Sequence, residues 1–479
     1  MRLHATDAGP RWWVVVLLTL PWVQPWAPGP QSNTLPWLLS WAALACLPAL
    51  GRWPSAHELA RAWVAAALIS SAMGLLQYFG EAARLGGWVH VPSYLGDALG
   101  NLRQRNQLAT LTGIGAVGVL WWRSQGLAAA HACWMLALLA TGNAATASRT
   151  GLLEWFVLPA LLLVWTLVLR RRSAPWSWPL LSWALGVFLL AGWLLPHALS
   201  RWTGADVSSA VTRLGELGGC GSRSVLWANV LHLIGQRPWT GWGWDELKYA
   251  HYMADYPGTR FCDILGNAHN LPLQLAFAFG IPGAVMLCAG LLALVIRARP
   301  WRPTHPTDSL AWGVLAMVGV HSLLEYPLWY GPFQVATLVS ALLLRPRACA
   351  VLQRPSWLRQ TLAWGVLALA LLVGGDYQRV RQIYLPATQR WALWRDDPWD
   401  AARRTLFFGQ ALRFAELTSA RVTPDNAPAL LHLSQDVLHY SPEPRVIDKL
   451  IESARLSGQT NLADWHEARK AAVYGPPAH

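Results

Sequence analysis

The sequence predicts an all-α, polytopic membrane protein with about eleven transmembrane helices, one large extramembrane loop and a small helical C-terminal domain. Three observations predict it. Of the 479 residues, 54% are hydrophobic and only 13% charged, too apolar a balance for a soluble globule. The apolar residues fall in runs near the ~20 needed to cross a bilayer as a helix. The 32 tryptophans gather at the ends of these runs, as at Trp12, Trp13, Trp121, Trp122 and Trp301, the depth at which amphipathic rings settle.

The runs follow in order. The first, 12–28, carries no small-residue cleavage site and is followed by further spans, so it reads as a retained helix. Next come 35–50, 59–79, 107–122, 128–142, 150–169 and 177–199. Of these, 35–50 and 128–142 are short and fit tilted or partly re-entrant helices. The remaining runs are 270–296, 309–325, 327–344 and 358–375. As one straight helix, Asn270 to Ile296 would measure about 40 Å against a hydrocarbon core of ~30 Å. Gly280-Ile281-Pro282-Gly283 is expected to break it.

Two loops are long, roughly 80–106 and 200–268. The chain thus divides into a membrane body, 1–375, and a polar tail, 376–479, that contains no further run. The tail reads as amphipathic helices over Pro398–Ala420, Asp425–Tyr440, Glu443–Leu456 and Asn461–Val473. Thr423-Pro424-Asp425 and Ser441-Pro442-Glu443 mark helix starts. Their lengths fit a small tetratricopeptide-like stack without a clean repeat.

Charge sets the orientation. With the N-terminus inside, the inner set holds Arg2, Arg11, Arg52, Arg61, Arg123, Arg170, Arg171, Arg172, Arg297, Arg299, Arg302, Arg345, Arg347, Arg354 and Arg359. Its acidic members are Asp7, Glu58 and Asp308. The outer set is balanced. This bias follows the positive-inside rule and puts the tail outside. The net charge of +13 therefore reports anchoring at the inner surface, and nucleic-acid binding is not inferred from it.

The polar residues of the body gather on the outer side. The loop before the fourth run gives GNLRQRNQLAT, with Arg103, Gln104, Arg105 and Asn106; ASRTG gives Arg149. GSRSVLWANV gives Arg223 and leads into GNAHN, with His269 and Asn270; HSLLEYPLWY gives His321, Glu325 and Tyr326. Ionisable groups at a bilayer are costly, so such a set points to a site. Outer-face arginines run against the orienting bias, and a guanidinium fork matches phosphate oxygens. The set therefore suggests a lipid-linked phosphate or pyrophosphate. Histidine suits the removal of a proton from an acceptor hydroxyl near neutral pH. Taken alone, each arginine also fits a headgroup contact or a salt bridge. His269 alone fits the rim of a helix start in which Asn267 caps.

NLRQRNQLAT, SRSVLW with RPWTGWGW, NAHNLPLQLAFAFGIPG and HSLLEYPLWY resemble the bacterial O-antigen ligase and polymerase superfamily. More narrowly they resemble the protein O-oligosaccharyltransferases that glycosylate pilins, and the tail around DDPWDAARRTLFF resembles the extra C-terminal domain of that branch. The resemblance implies transfer of a preassembled glycan from undecaprenyl pyrophosphate to an acceptor at the periplasmic face. The protein would then lie in the inner membrane of a Gram-negative bacterium, with the N-terminus cytoplasmic and the 200–268 loop and the tail periplasmic. It also implies that His269 is the essential histidine, supported by Gln104 and Tyr326.

The expected catalytic set is His269, Tyr326 and Glu325. The expected substrate-binding set is Arg103, Gln104, Arg105, Asn106, Arg149, Arg223, Asn270 and His321. No cofactor and no metal are expected, since arginines neutralise pyrophosphate and no Asp-x-Asp pair is seen for a divalent cation. The expected partners are the undecaprenyl-pyrophosphate-linked glycan and pilin or another periplasmic protein. Alternatives are ligation to a lipid A-core, glycan polymerisation, a zinc enzyme built on His321, Glu325 and His269, and a transporter. Cys220 and Cys262 share the long outer loop, and the periplasm is oxidising, so they are expected to pair. Cys46, Cys133, Cys288 and Cys349 lie in or near spans or on the inner side.

Overall fold

In a computed structural model, residues 11–169, 176–204, 219–344 and 356–475 are described. Among them the secondary structure is helical, with no strand. The charges at Arg2, Asp7, Arg170–Arg172, Arg345, Arg347 and Arg354, and Cys349, lie outside the described residues.

Each of the eleven predicted runs coincides with a helix. These are α1 (Trp12–Val23), α2 (Thr34–Ala49), α3 (Ala56–Tyr78), α4 (Arg105–Ser124), α5 (Ala129–Ala145), α6 (Arg149–Val168) and α7 (Trp178–Thr203). After α8 (Arg223–Gln236) and α9 (Leu247–Met253) come α10 (Leu271–Ala298), α11 (Pro306–Leu324), α12 (Gly331–Leu344) and α13 (Ser356–Arg381). Among the described residues six of these helices, α3, α6, α7, α10, α11 and α13, are long and apolar enough to cross a membrane. The helices α1, α2 and α12 are shorter apolar ones.

The chain forms two compact units. The first comprises 1–27, 32–217 and 294–371. Its centre is α4, buried without interruption from Gln107 through Trp121 and packed by α3, α5, α6 and α11. A helix enclosed by protein can carry amides, hydroxyls and glycines that lipid would not tolerate. Gly115 shows how close the packing is: a Cβ there would lie 2.4 Å from the Cβ of Ala67 on α3. Leu111 and Ile114 of α4 share one buried cluster with Trp155, Trp165 and Phe333. The outward faces remain apolar, as at Trp193 and Leu190 on α7, the pattern of a surface solvated by acyl chains. Ser55 and Glu58 close a capping box at the start of α3, and the Glu58 carboxylate also accepts from Arg11 Nε at 2.8 Å.

The second unit comprises 28–31, 218–293 and 372–479, so the long loop and the tail fold together. Four tail helices were expected; the described residues form five α-helices, α14 (Pro398–Arg403), α15 (Gly409–Ser419), α16 (Ala427–Tyr440), α17 (Pro444–Leu456) and α18 (Thr460–Tyr474). The single helix expected over Pro398–Ala420 is split. Oδ2 of Asp376, near the end of α13, accepts from Thr405 Oγ1 at 2.9 Å and from the N–H groups of Leu406 at 3.0 Å and Phe407 at 2.9 Å. Those amides are thereby satisfied outside a helix. The consecutive helices α15 to α18 stack around Leu430, Leu431, Val446, Ile447, Leu450 and Ala454.

The loop joins this core through Tyr252, whose hydroxyl lies 2.9 Å from His466 Nδ1. Arg469 donates to the carbonyls of Tyr252, at 2.6 Å, and Ala254, and pairs with Asp255. Burial pushes the His466 imidazole down to about 4, and pushes His251, beside Arg260, down to about 3.

The expected break in α10 falls at Gly280, with φ 73° and ψ 171°. It strands the N–H of Ile281 and the carbonyls of Phe277 and Ala278, the latter because Pro282 has no N–H to return. The RPWTGWGW loop takes up all three. Ile281 N–H donates to Pro238 O at 2.7 Å, Trp242 N–H donates to Phe277 O at 2.8 Å, and Gly243 N–H donates to Ala278 O at 3.2 Å. A Cβ at Gly280 would lie 2.3 Å from Trp239 O, so side chains are excluded at the crossing.

Candidate active site

In the second unit the site begins with the disulfide between Cys220 and Cys262, whose Cα atoms lie 5.3 Å apart across a separation of 42 residues. It ties the start of α8 to the segment that leads into α10. Ser222 caps α8, accepting from Val225 N–H at 3.4 Å, and Arg223 is the first residue of that helix, half-buried. The inner face of α8, Leu226, Val230 and Leu233, packs with Leu247, Phe261, Leu265, Ala268 and Phe277.

The GNAHN segment is a fixed turn. Asn267 is buried, and its Oδ1 accepts from His269 N–H at 2.9 Å. Ala268 is held at both ends: its N–H donates to Gln274 Oε1 at 2.8 Å, and its carbonyl accepts from Trp227 Nε1 at 3.1 Å. The helix cap is Asn270, not Asn267, since Asn270 Oδ1 accepts from Leu273 N–H at 3.0 Å. His269 is thereby held at φ 51°, a left-handed conformation that a side-chain-bearing residue adopts only when its surroundings impose it. Its imidazole is pushed down to about 3, chiefly by burial and then by the charge of Arg223. The ring is therefore neutral over the physiological range.

In the first unit, the residues around the start of α4 divide into two groups. Gln104 caps α4, its Oε1 accepting from Gln107 N–H at 2.6 Å. Arg103, at φ 60°, donates to Pro25 O at 2.7 Å, and Arg105 pairs with Asp97 at 2.7 Å. These three hold the approach to the helix, a role the sequence reading did not assign to them. Asn106 is a hub: Nδ2 donates to Glu325 Oε1 at 2.9 Å, and Oδ1 accepts from Ser148 Oγ at 2.7 Å. Ser148 also caps α6 through Gly151 N–H at 3.0 Å. Arg149, the next residue, is exposed in the first turn of α6.

His321 and Glu325 end α11 and are both buried. Tyr326 follows, with ring centroids 5.8 Å from Tyr330 and 6.4 Å from Trp329. One turn below Asn106, Thr110 Oγ1 lies 2.8 Å from His321 Nδ1 and 2.6 Å from Glu154 Oε1. Glu154 escaped the sequence reading. It is one carboxylate in an apolar run, and its only signal was a charge at membrane depth. Among the described residues, no group of three or more His, Cys, Asp or Glu side chains is arranged to hold a metal ion.

Three family models match the chain in order. Residues 98–122 match one described as protein glycosylation ligase, and 134–288 match O-antigen ligase. Residues 309–479 match the C-terminal part of virulence factor membrane-bound polymerase. Every candidate residue named above lies in one of these three stretches. A general O-oligosaccharyltransferase of Acinetobacter baylyi is 26% identical over 287 residues, which cover 56% of this chain and 47% of that protein. The chain thus spans about half the length of the curated relative it matches. The resemblance to the O-antigen ligase superfamily, on its protein O-oligosaccharyltransferase side, is carried by all of these matches.

Proposed function

We propose that the protein transfers a preassembled oligosaccharide from an undecaprenyl-pyrophosphate carrier to Ser or Thr hydroxyls of periplasmic proteins such as pilin. In this reading about eleven helices span the inner membrane, the N-terminus is cytoplasmic, and the 200–268 loop and the 376–479 tail are periplasmic. The observation that carries the reading is His269: neutral, held in a constrained turn, close enough to Arg223 to feel its charge, and at the head of an apolar helix.

The acceptor oxygen attacks the anomeric carbon and its proton passes to an imidazole nitrogen of His269. The bond from that carbon to the pyrophosphate oxygen breaks, and undecaprenyl pyrophosphate leaves with the electron pair. Arg223 and Arg149 are assigned to the charge that grows on the leaving group, where oriented donors act most strongly. Arg103, Gln104, Arg105 and Asn270 shape the surroundings by holding helix starts. Asn106 fixes Glu325, and with it the turn that carries Tyr326.

A base held near 3 is weak toward a hydroxyl. Bound pyrophosphate brings negative charge that offsets Arg223 and raises the affinity of the imidazole for the proton. The donor thus prepares its own base.

Ligation to a lipid A-core acceptor is the second reading, favoured by the O-antigen ligase match over residues 134–288. The deciding experiment gives the purified protein an undecaprenyl-pyrophosphate oligosaccharide together with either pilin or lipid A-core. Glycosylated pilin supports the first reading. Glycan on lipid A-core alone supports the second, and transfer to neither overturns both.

A further inference from the structure

The hydroxyl of Thr110 has more neighbours than its single proton can serve. Oγ1 lies 2.6 Å from Glu154 Oε1, 2.8 Å from His321 Nδ1 and 3.0 Å from the carbonyl of Asn106. A hydroxyl donates once and accepts twice. The Asn106 carbonyl can accept both the helical N–H and the hydroxyl of Thr110, but it is the longest of the three contacts, so the hydroxyl proton is assigned within the closer pair. The close contacts to Glu154 and His321 can both be hydrogen bonds only if a second proton sits on the carboxyl or on the imidazole.

The surroundings choose the carboxyl. Glu154 is 0% exposed, and among the described residues it forms no ion pair. Its Oε2 is buried with no hydrogen-bond partner. An isolated carboxylate at such depth is strongly disfavoured, and the group takes a proton instead.

We propose that Glu154, Thr110 and His321 form a buried proton relay, with Glu154 as the positioning residue that holds His321 in its Nε2–H tautomer. In the resting arrangement Glu154 Oε1–H donates to Thr110 Oγ1, and Thr110 Oγ1–H donates to His321 Nδ1. Moving one proton along each link leaves a Glu154 carboxylate and a His321 imidazolium, with no proton gained or lost by the set. His321 can therefore be charged from within the protein, without water entering α4, α6 or α11. In oligosaccharide transfer, a His321 charged in this way would add positive charge near the end of α11 as the pyrophosphate leaves. That last role rests on the function proposed above; the relay itself does not.

The test uses the full-length protein in lipid bilayers and does not read transfer. Infrared spectra of the wild type should contain the carbonyl stretch of a protonated carboxylic acid that is lost in Glu154→Gln. In Thr110→Val, which removes the acceptor, the band should shift; in Thr110→Ser it should stay. Nitrogen-labelled histidine should show His321 with Nδ1 unprotonated and Nε2 protonated in the wild type, and a mixed tautomer in Glu154→Gln. Wild-type and Glu154→Gln spectra without a difference in the acid carbonyl region would overturn the relay. So would a His321 that carries its proton on Nδ1. A wild-type protein that transfers no glycan refutes the proposed function while these spectra still decide the relay.

Discussion

Replacing Gly280 with alanine should damage the protein through the crossing of the RPWTGWGW loop and α10. At φ 73° and ψ 171° only glycine is comfortable, and a side-chain-bearing residue there is strained by about 1–3 kcal/mol. The added Cβ would also meet Trp239 O at 2.3 Å and Pro238 O at 2.9 Å. Both atoms are backbone, so the loop must move as a piece. Moving it stretches the three hydrogen bonds at Ile281, Trp242 and Gly243, each contributing about 0.5–1.5 kcal/mol. The sum is about 2.5–7.5 kcal/mol. Gly290 is the control: it lies in the same helix with nothing within 4 Å of an added Cβ. Alanine there should stabilise by about 0.5–1 kcal/mol. The assay is denaturant unfolding of the full chain in detergent micelles, followed by fluorescence of its tryptophans. A Gly280→Ala protein that unfolds with the wild type would refute the crossing as described.

Reduction of the Cys220–Cys262 bridge, or Cys220→Ser with Cys262→Ser, should lower stability by up to about 4 kcal/mol for a loop of 42 residues; alkylation mass spectrometry that finds both thiols free in untreated protein would remove the premise. Arg149→Ala and Arg223→Ala should each slow transfer at least ~10-fold, with lysine a poor substitute because it lacks the fork. Chelator should leave the rate unchanged; full activity in both alanine variants would mean that other residues hold the pyrophosphate. Because His269 is lowered from 6.5 to about 3, kcat/KM, which reports the free enzyme, should show no acid limb from this residue between about pH 5 and about pH 8. In kcat, with donor bound, the limb should move upward. The same depression makes the unfolded chain bind a proton that the folded one refuses. The contribution to stability is present above about pH 6.5 and lost as pH falls toward 3. His269→Gln should flatten that part of the stability profile, and an unchanged slope would count against the burial of the ring.

The helices of the membrane body were legible because acyl chains leave a backbone few options, so every apolar run had to become one. The break at Gly280 was legible for a related reason, since glycine and proline together mark where a helix cannot continue. The function of RPWTGWGW was not, because nothing in its own residues says that its amides and carbonyl complete another helix. The tail helix over Pro398–Ala420 was misread where Asp376, more than two dozen residues upstream, captures the amides of Leu406 and Phe407. Within the candidate site, His269, Asn270, Glu325 and Tyr326 stood out by residue type beside an apolar run. The capping work of Gln104, and the ties of Arg103 to Pro25 and Arg105 to Asp97, did not. Glu154 stayed hidden because its meaning comes from Thr110 and His321, which lie 44 and 167 positions away and reach it only when α4, α6 and α11 pack.

The central claim is that His269 takes the acceptor's proton, and one variant tests it most directly. Purified His269→Ala protein, given undecaprenyl-pyrophosphate oligosaccharide and pilin, should lose transfer by about 10² to 10⁴-fold, the usual contribution of a general base. It should still bind the lipid donor and unfold with the wild type. Transfer at near the wild-type rate would contradict the account and leave His269 as a residue at the rim of a helix start.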